Sequence, residues 1–183
     1  MKYLTKLILT VSILSIFSVT AQLATSSPTG IKKSIVHKTA SSVNHQTLLA
    51  VMKATDLEEL LDKTGPFTVF APNDSAFENL SGKSVEMLLN PENKKELKDL
   101  LTYHIVAGKL SASRILKAMC RGRGKATFTT VHGDAITATM KGIDIILTDS
   151  FGNSATIVVA DSNQRNGVIH EIDSVILPRK VQS

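Results

Sequence analysis

The sequence predicts an α+β domain in which helices come first and strands follow. Three observations carry this. Apolar residues recur at helical spacing through most of the stretch from Ile31 to Met119, whereas Thr-, Val- and Ile-rich segments fill the chain from Ala126 to Leu177. Elements segregated in this way favour an antiparallel sheet with helices grouped beside it over an alternating α/β fold. Cys120 is the only cysteine, so no internal disulfide can form and the core alone must hold the fold.

The elements follow in order. Lys2 and Lys6 precede an uncharged, mostly apolar stretch from Leu7 to Val19, and small residues close it at Val19-Thr20-Ala21. A charged start, short apolar middle and small-residue exit describe a secretory signal peptide over residues 1–21, which implies a secreted or periplasmic protein. The run is too short and too interrupted by Ser and Thr for a convincing membrane span, although an uncleaved anchor is the competing reading. No second stretch long enough to span follows, so no stable membrane span is expected once the signal is removed. Removal takes away two lysines and no acid, lowering the formal charge from +5 to +3. The remaining basic residues are scattered, apart from Lys94-Lys95 and a cluster from Lys117 to Lys125. That reads as a solvated surface, and no nucleic-acid partner is expected.

Residues 22–30 form a Ser/Thr/Pro tether, residues 31–178 a single domain and residues 179–183 a tail. Within the domain, Leu48, Val51, Met52 and then Leu57, Leu60, Leu61 mark helical structure between Ile31 and Asp62, broken near Thr55-Asp56. Gly65-Pro66 stops it. Phe67 to Ala71 is β-prone and closed by Pro72, after which Asn73 or Asp74 caps a brief helix through Ala76, Phe77 and Leu80. Asn90-Pro91-Glu92 opens a helix carrying Leu97, Leu100, Leu101, His104 and Ile105 on one face. Ser111 caps another, which ends in the glycine-rich turn Arg121 to Gly124. Five β-type segments follow: Ala126–Val131, Ala135–Met140, Ile143–Thr148, Ala155–Ala160 and Val168–Leu177.

Candidate chemistry is sparse. In an extended strand His170 shares a face with Val168, Ile172 and Ile176, while Glu171 and Asp173 point the other way. His104 lies on the apolar stripe of its helix. Each therefore reads as a buried, hydrogen-bonded core histidine. His104, His132 and His170 lack the paired spacing of a metal site, and no nucleophile sits beside a base. Ser162 beside Asp161 reads as turn chemistry between strands. There is no tryptophan, and the phenylalanines sit in mostly core contexts, so an aromatic platform for sugars or single-stranded nucleic acid is not expected.

Three motifs carry a resemblance. Phe67-Thr-Val-Phe-Ala-Pro-Asn-Asp-Ser-Ala-Phe77 resembles the first signature of the fasciclin domain, Tyr103-His104-Ile-Val106 its Tyr-His motif, and Asn166-Gly-Val-Ile-His-Glu-Ile-Asp173 its second signature. They occur in the family's order and the likeness covers Ile31 to Pro178. The layout resembles small secreted single-domain bacterial fasciclin proteins.

The resemblance implies a wedge-shaped β-sandwich flanked by several helices. It also implies a non-enzymatic module for cell adhesion or extracellular-matrix contact, with no cofactor. The expected partner is a cell-surface or matrix protein or a polysaccharide, and a homodimer is left open. An extracytoplasmic protein binding a small molecule or metal through histidines is the alternative. The signature residues Thr68, Phe70, Pro72, Asn73, Phe77, Asn166, Gly167, His170 and Asp173 are then structural. Partner contact falls to Tyr103, His104 and Asp161. Ser162 stands where the family places an isoleucine after that Asp, which departs from the integrin-type pattern.

Overall fold

The structure, a computed structural model, describes residues 32–80 and 89–179. The expected signal peptide and tether lie outside the described residues, as does the tail beyond Arg179. The helical region resolves into α1 (Ile35–Ala40), α2 (Gln46–Ala54) and α3 (Leu57–Lys63). Leu48, Val51, Met52, Leu57 and Leu61 are buried together, but Leu60 is exposed. A two-turn helix presents a stripe only wide enough for Leu57 and Leu61.

β1 (Phe67–Pro72) runs one residue further than expected, ending on a proline that needs no ladder amide. Asn73 caps α4 (Asp74–Glu78), its Oδ1 accepting from the Ala76 amide at 2.9 Å. Asp74 does a different job. Its carboxylate accepts from the Gln46 and Thr47 amides, at 3.2 and 2.8 Å, and so caps α2, whose own N-cap residue His45 makes no capping bond. After a 3₁₀ turn at Pro91–Asn93, α5 spans Lys94–Tyr103. Ile105 does not continue that helix as expected. His104 closes it and β2 (Ile105–Ala107) begins, because the β-branched pair Ile105-Val106 finds antiparallel partners in Val69 and Thr68.

Ser111 caps α6 (Ala112–Arg121), which ends at Gly122, where a Cβ would lie 2.0 Å from the Lys125 carbonyl oxygen. The strands β3 (Lys125–Thr129), β4 (Ala135–Lys141), β5 (Asp144–Thr148), β6 (Ser154–Gln164) and β7 (Gly167–Ile172) follow. β6 is longer than expected and the turn after it shrinks to Arg165-Asn166. β7 stops at Ile172, and Val175 and Ile176 are buried without belonging to a strand.

The seven strands form one sheet in the order β2-β1-β7-β6-β5-β4-β3. It is mixed where an antiparallel sheet was expected, because β1 and β7 pair in parallel, Phe67 opposite Gly167 through Pro72 opposite Ile172. The chain between them is long enough for the crossover that parallel pairing requires. An isolated bridge between Val106 and Thr130, the residue after β3, with the Val131 amide donating to the Ile105 carbonyl at 2.7 Å, ties the two ends of the sheet together at one point.

Two cores result. Alternate residues of β1 and β7 serve each: Val69, Ala71 and Ile169 pack with α1–α5, while Phe70 and Ile172 pack with α6 and the remaining strands. The outward face expected for β7 is thus covered as well. At about 2 kcal/mol per large aliphatic side chain removed from water, these two layers supply the stabilisation a disulfide-free domain needs.

Candidate functional site

Register brings the motif residues together. Phe70 lies opposite His170, and the two rings stack with centroids 5.7 Å apart and planes 25° from parallel. His170 Nε2 donates to the Leu110 carbonyl at 2.7 Å, and Nδ1 accepts from the Asp161 amide at 3.2 Å. One donor and one acceptor are demanded of the ring, which defines a neutral tautomer. Burial lowers its pKa, and the Leu110 carbonyl and Asp161 charge only partly oppose that. His104 repeats the device: Nδ1 donates to the Leu100 carbonyl at 2.8 Å and Nε2 accepts from the Ile176 amide at 3.3 Å. Its full burial lowers the pKa to about 4. Neither histidine has a ring nitrogen left for a metal or a proton transfer.

The Phe70 amide donates to the His104 carbonyl at 2.9 Å, so His104, just before β2, forms one row with Phe70 of β1, His170 of β7 and Asp161 of β6. At the usual strand spacing that row is roughly 14 Å long. Asp161 is not at a turn between strands, as expected, but at a bulge within β6, with φ of 60°. Its Oδ1 accepts from the Ala112 amide at 2.8 Å, in the first turn of α6. The other signature residues brace the same row. Thr68 Oγ1 donates to the Gly108 carbonyl and accepts from the Leu110 amide, both at 2.8 Å. Asn166 accepts from the Ile35 amide and donates to the Leu61 carbonyl, tying α1 and α3 to the β6–β7 turn. A Cβ on Gly167 would stand 1.9 Å from the Phe67 carbonyl oxygen, so only glycine fits there. Asp173 accepts from the Thr156 amide at 2.8 Å, Asn73 reaches Glu171, and Phe77 fills the helical core.

Tyr103 and His104 are 0% and 1% exposed. Tyr103 Oη donates to the Ala135 carbonyl at 2.9 Å, and burial, with the charges of Asp149 and Asp134 adding to it, pushes its pKa up to about 12. The motif reaches solvent through His132, whose ring meets Tyr103 edge-on at 6.2 Å. His132 lines an open groove of about 570 Å³ between the exposed face of α5 and the β3–β4 turn. Lys95, Lys98 and Arg179 contribute three cationic groups. The two carboxylates are engaged: Asp99 with Lys95 at 2.9 Å, and Asp134 with the Arg179 amide at 3.4 Å. His132 Nδ1 also stands 3.2 Å from Asp134 Oδ2, out of hydrogen-bond alignment.

Asp149, which the sequence did not single out, is a buried hub. It accepts from the Phe151, Asn153 and Leu177 amides and from Asn153 Nδ2, pinning the segment that carries Val175 and Ile176. The only local sign was its spacing from Asn153 in a turn. Phe151 is half exposed on that turn, unlike the mostly buried phenylalanines elsewhere. Among the described residues no three His, Cys, Asp or Glu side chains gather into a metal-holding set, and no helix is long and apolar enough to cross a membrane.

A family model described as Fasciclin domain matches residues 43–178. The chain belongs to the fasciclin domain family. It is 42% identical over 144 residues to Protein sll1483 of Synechocystis sp., a match covering 79% of this chain and 73% of that one. It is 31% identical over 114 residues to the cell surface glycolipoprotein MPB83 of Mycobacterium bovis, covering 62% of this chain and 44% of the relative. Among solved structures, a FAS1 domain pair from the insect cell adhesion molecule Fasciclin I superposes with a TM-score of 0.72 at 17% identity. That match covers 84% of this chain and 53% of the pair, so this chain spans about half of it. The likeness is one of fold: a seven-stranded, sandwich-like sheet with several helices is the fasciclin arrangement. The first and second fasciclin signatures are β1 with its α4 cap and β7 with its preceding turn.

Proposed function

We propose that this fasciclin domain is a secreted, non-enzymatic adhesion module that contacts a cell-surface or matrix protein or polysaccharide through the groove above Tyr103 and His104. The observation that supports this reading is the groove itself. It is the place where the buried Tyr-His motif is relayed to solvent, through His132, and its cationic groups outnumber its carboxylates. Such a surface suits acidic groups on an extended partner, held by several weak, salt-sensitive contacts. The two core histidines support the non-enzymatic part, since each is committed at both nitrogens to backbone groups. The cell-surface and adhesion-molecule relatives are consistent with an extracellular setting.

Beads coated with residues 31–183 test this on films of polyuronate, of neutral dextran and of native surface extract. Retention on the acidic film or the extract that falls as salt rises is expected. The double variant Lys98→Glu/Arg179→Glu is expected to lose retention at least tenfold with an unchanged melting temperature. No retention of the unaltered protein above an albumin control, or equal retention of the folded double variant, overturns the reading.

A further inference from the structure

The second concavity lies on the other side of β7, where odd-numbered residues face α1 and α2. Its apolar walls are Ala71, Ile169 and Val159, and it encloses about 140 Å³. His45 is 8% exposed. Its Nδ1 is bonded to Ser42 Oγ at 2.7 Å, but its Nε2 makes no hydrogen bond. Glu171 Oε2 is 3.9 Å from that nitrogen, too far for a direct bond. Burial lowers the His45 pKa, and the charges of Glu171 and Asp74 and the nearby Ala71 backbone, which makes no aligned bond to Nε2, only partly offset it, so the ring is neutral at pH 7. A buried polar nitrogen without a partner costs about 1–3 kcal/mol, and native structures rarely leave one so.

We propose that this pocket binds one polyol unit, a hydroxyl of which bridges His45 Nε2 and Glu171 Oε2. An oxygen about 2.8 Å from each closes a 3.9 Å gap with a near-right angle at the oxygen. The bridge uses the tautomer in which Ser42 Oγ donates to Nδ1 and the ring proton sits on Nε2: the ligand hydroxyl accepts from Nε2–H and donates to the carboxylate. The opposing charges of Lys38 and Glu171 at the rim favour a neutral molecule over an ion. The aliphatic walls accept the C–H face of a sugar or short polyol. The volume suits roughly six heavy atoms, the size class that a cavity of about 150 Å³ holds. Val159, half exposed on the bulge of β6, lies on the solvent side of the pocket, and because Nε2 has almost no accessible surface the ligand reaches it only by displacing a wall residue. The ligand is either a short free polyol or one edge of a glycan's terminal residue, whose other ring atoms stay outside the pocket. The pocket does not depend on the groove above Tyr103, and the two readings fail separately.

Saturation-transfer NMR with glycerol, erythritol and xylitol in one arm and methyl glycosides in the other tests the proposal, with the His45 ring nitrogens followed in parallel. Saturable transfer that moves the His45 ring signals and leaves those of His104 and His170 in place is expected. Linear polyols binding alone identify the free molecule, and methyl glycosides binding more tightly identify the glycan terminus. Val159→Trp, which fills the pocket from its solvent side, and Glu171→Gln, which keeps its shape, should each weaken binding at least tenfold without unfolding the domain. No saturable transfer from either arm, or equal transfer to a folded Val159→Trp protein, overturns it.

Discussion

His104 and His170 each join two backbone groups that no secondary structure satisfies. The fold therefore needs both rings neutral, and acid attacks it there. His104 has a folded pKa of about 4 against an unfolded value of about 6.5, so the unfolded chain binds more protons between these limits. Its contribution is complete above pH 6.5 and falls away as the pH drops toward 4, a loss on the order of 3 kcal/mol. His170, shifted in the same direction, adds to it. Urea unfolding at pH 7.5 and 4.5 should show this loss, and His104→Gln should flatten the profile without abolishing it. The apolar neighbours of both histidines made burial legible in the sequence. One partner of each was not, because Leu110 and Ile176 lie 60 and 72 residues away along the chain.

Elements whose signals are local were readable. The caps at Asn73, Asn90 and Ser111 sit two or three residues from the amides they bind, so sequence alone exposes them. Asp74 escaped that reading because the helix it caps is 27 residues back. The spacing of Ile105 fits a helix, and only the strand beside it decides otherwise. The same holds for the parallel pairing of β1 and β7, which joins segments 100 residues apart. Gly167 sits at the first rung of that ladder. Gly167→Ala must push the Phe67 carbonyl aside, and a loss of about 4 kcal/mol or more is expected, seen as a collapse of the thermal midpoint. An unchanged midpoint would show that the rung can open without cost.

At the scale of the molecule, the fold class and the three signatures were legible, whereas the groove and the pocket were not. Both concavities collect residues from separate parts of the chain: α5, the β3–β4 turn and Arg179 in one, α1, the α1–α2 connection and three strands in the other. Asp149 shows how the parts are held. It fastens Leu177, next to the buried Val175 and Ile176, to the β5–β6 turn. Asp149→Ala should cost roughly 3 kcal/mol and speed hydrogen exchange at the Leu177 amide first, since a buried network loses several bonds at once. Uniform exchange across the domain would contradict that local role. The seam between Val106 and Thr130 bears on how such a protein behaves in company. Proteins at high local concentration meet their neighbours constantly, and an open strand margin invites them to zip together by adding strand to strand. Where the margins are stitched to each other, that irreversible route is closed. Association at that seam then has to pass through side chains, which let go again.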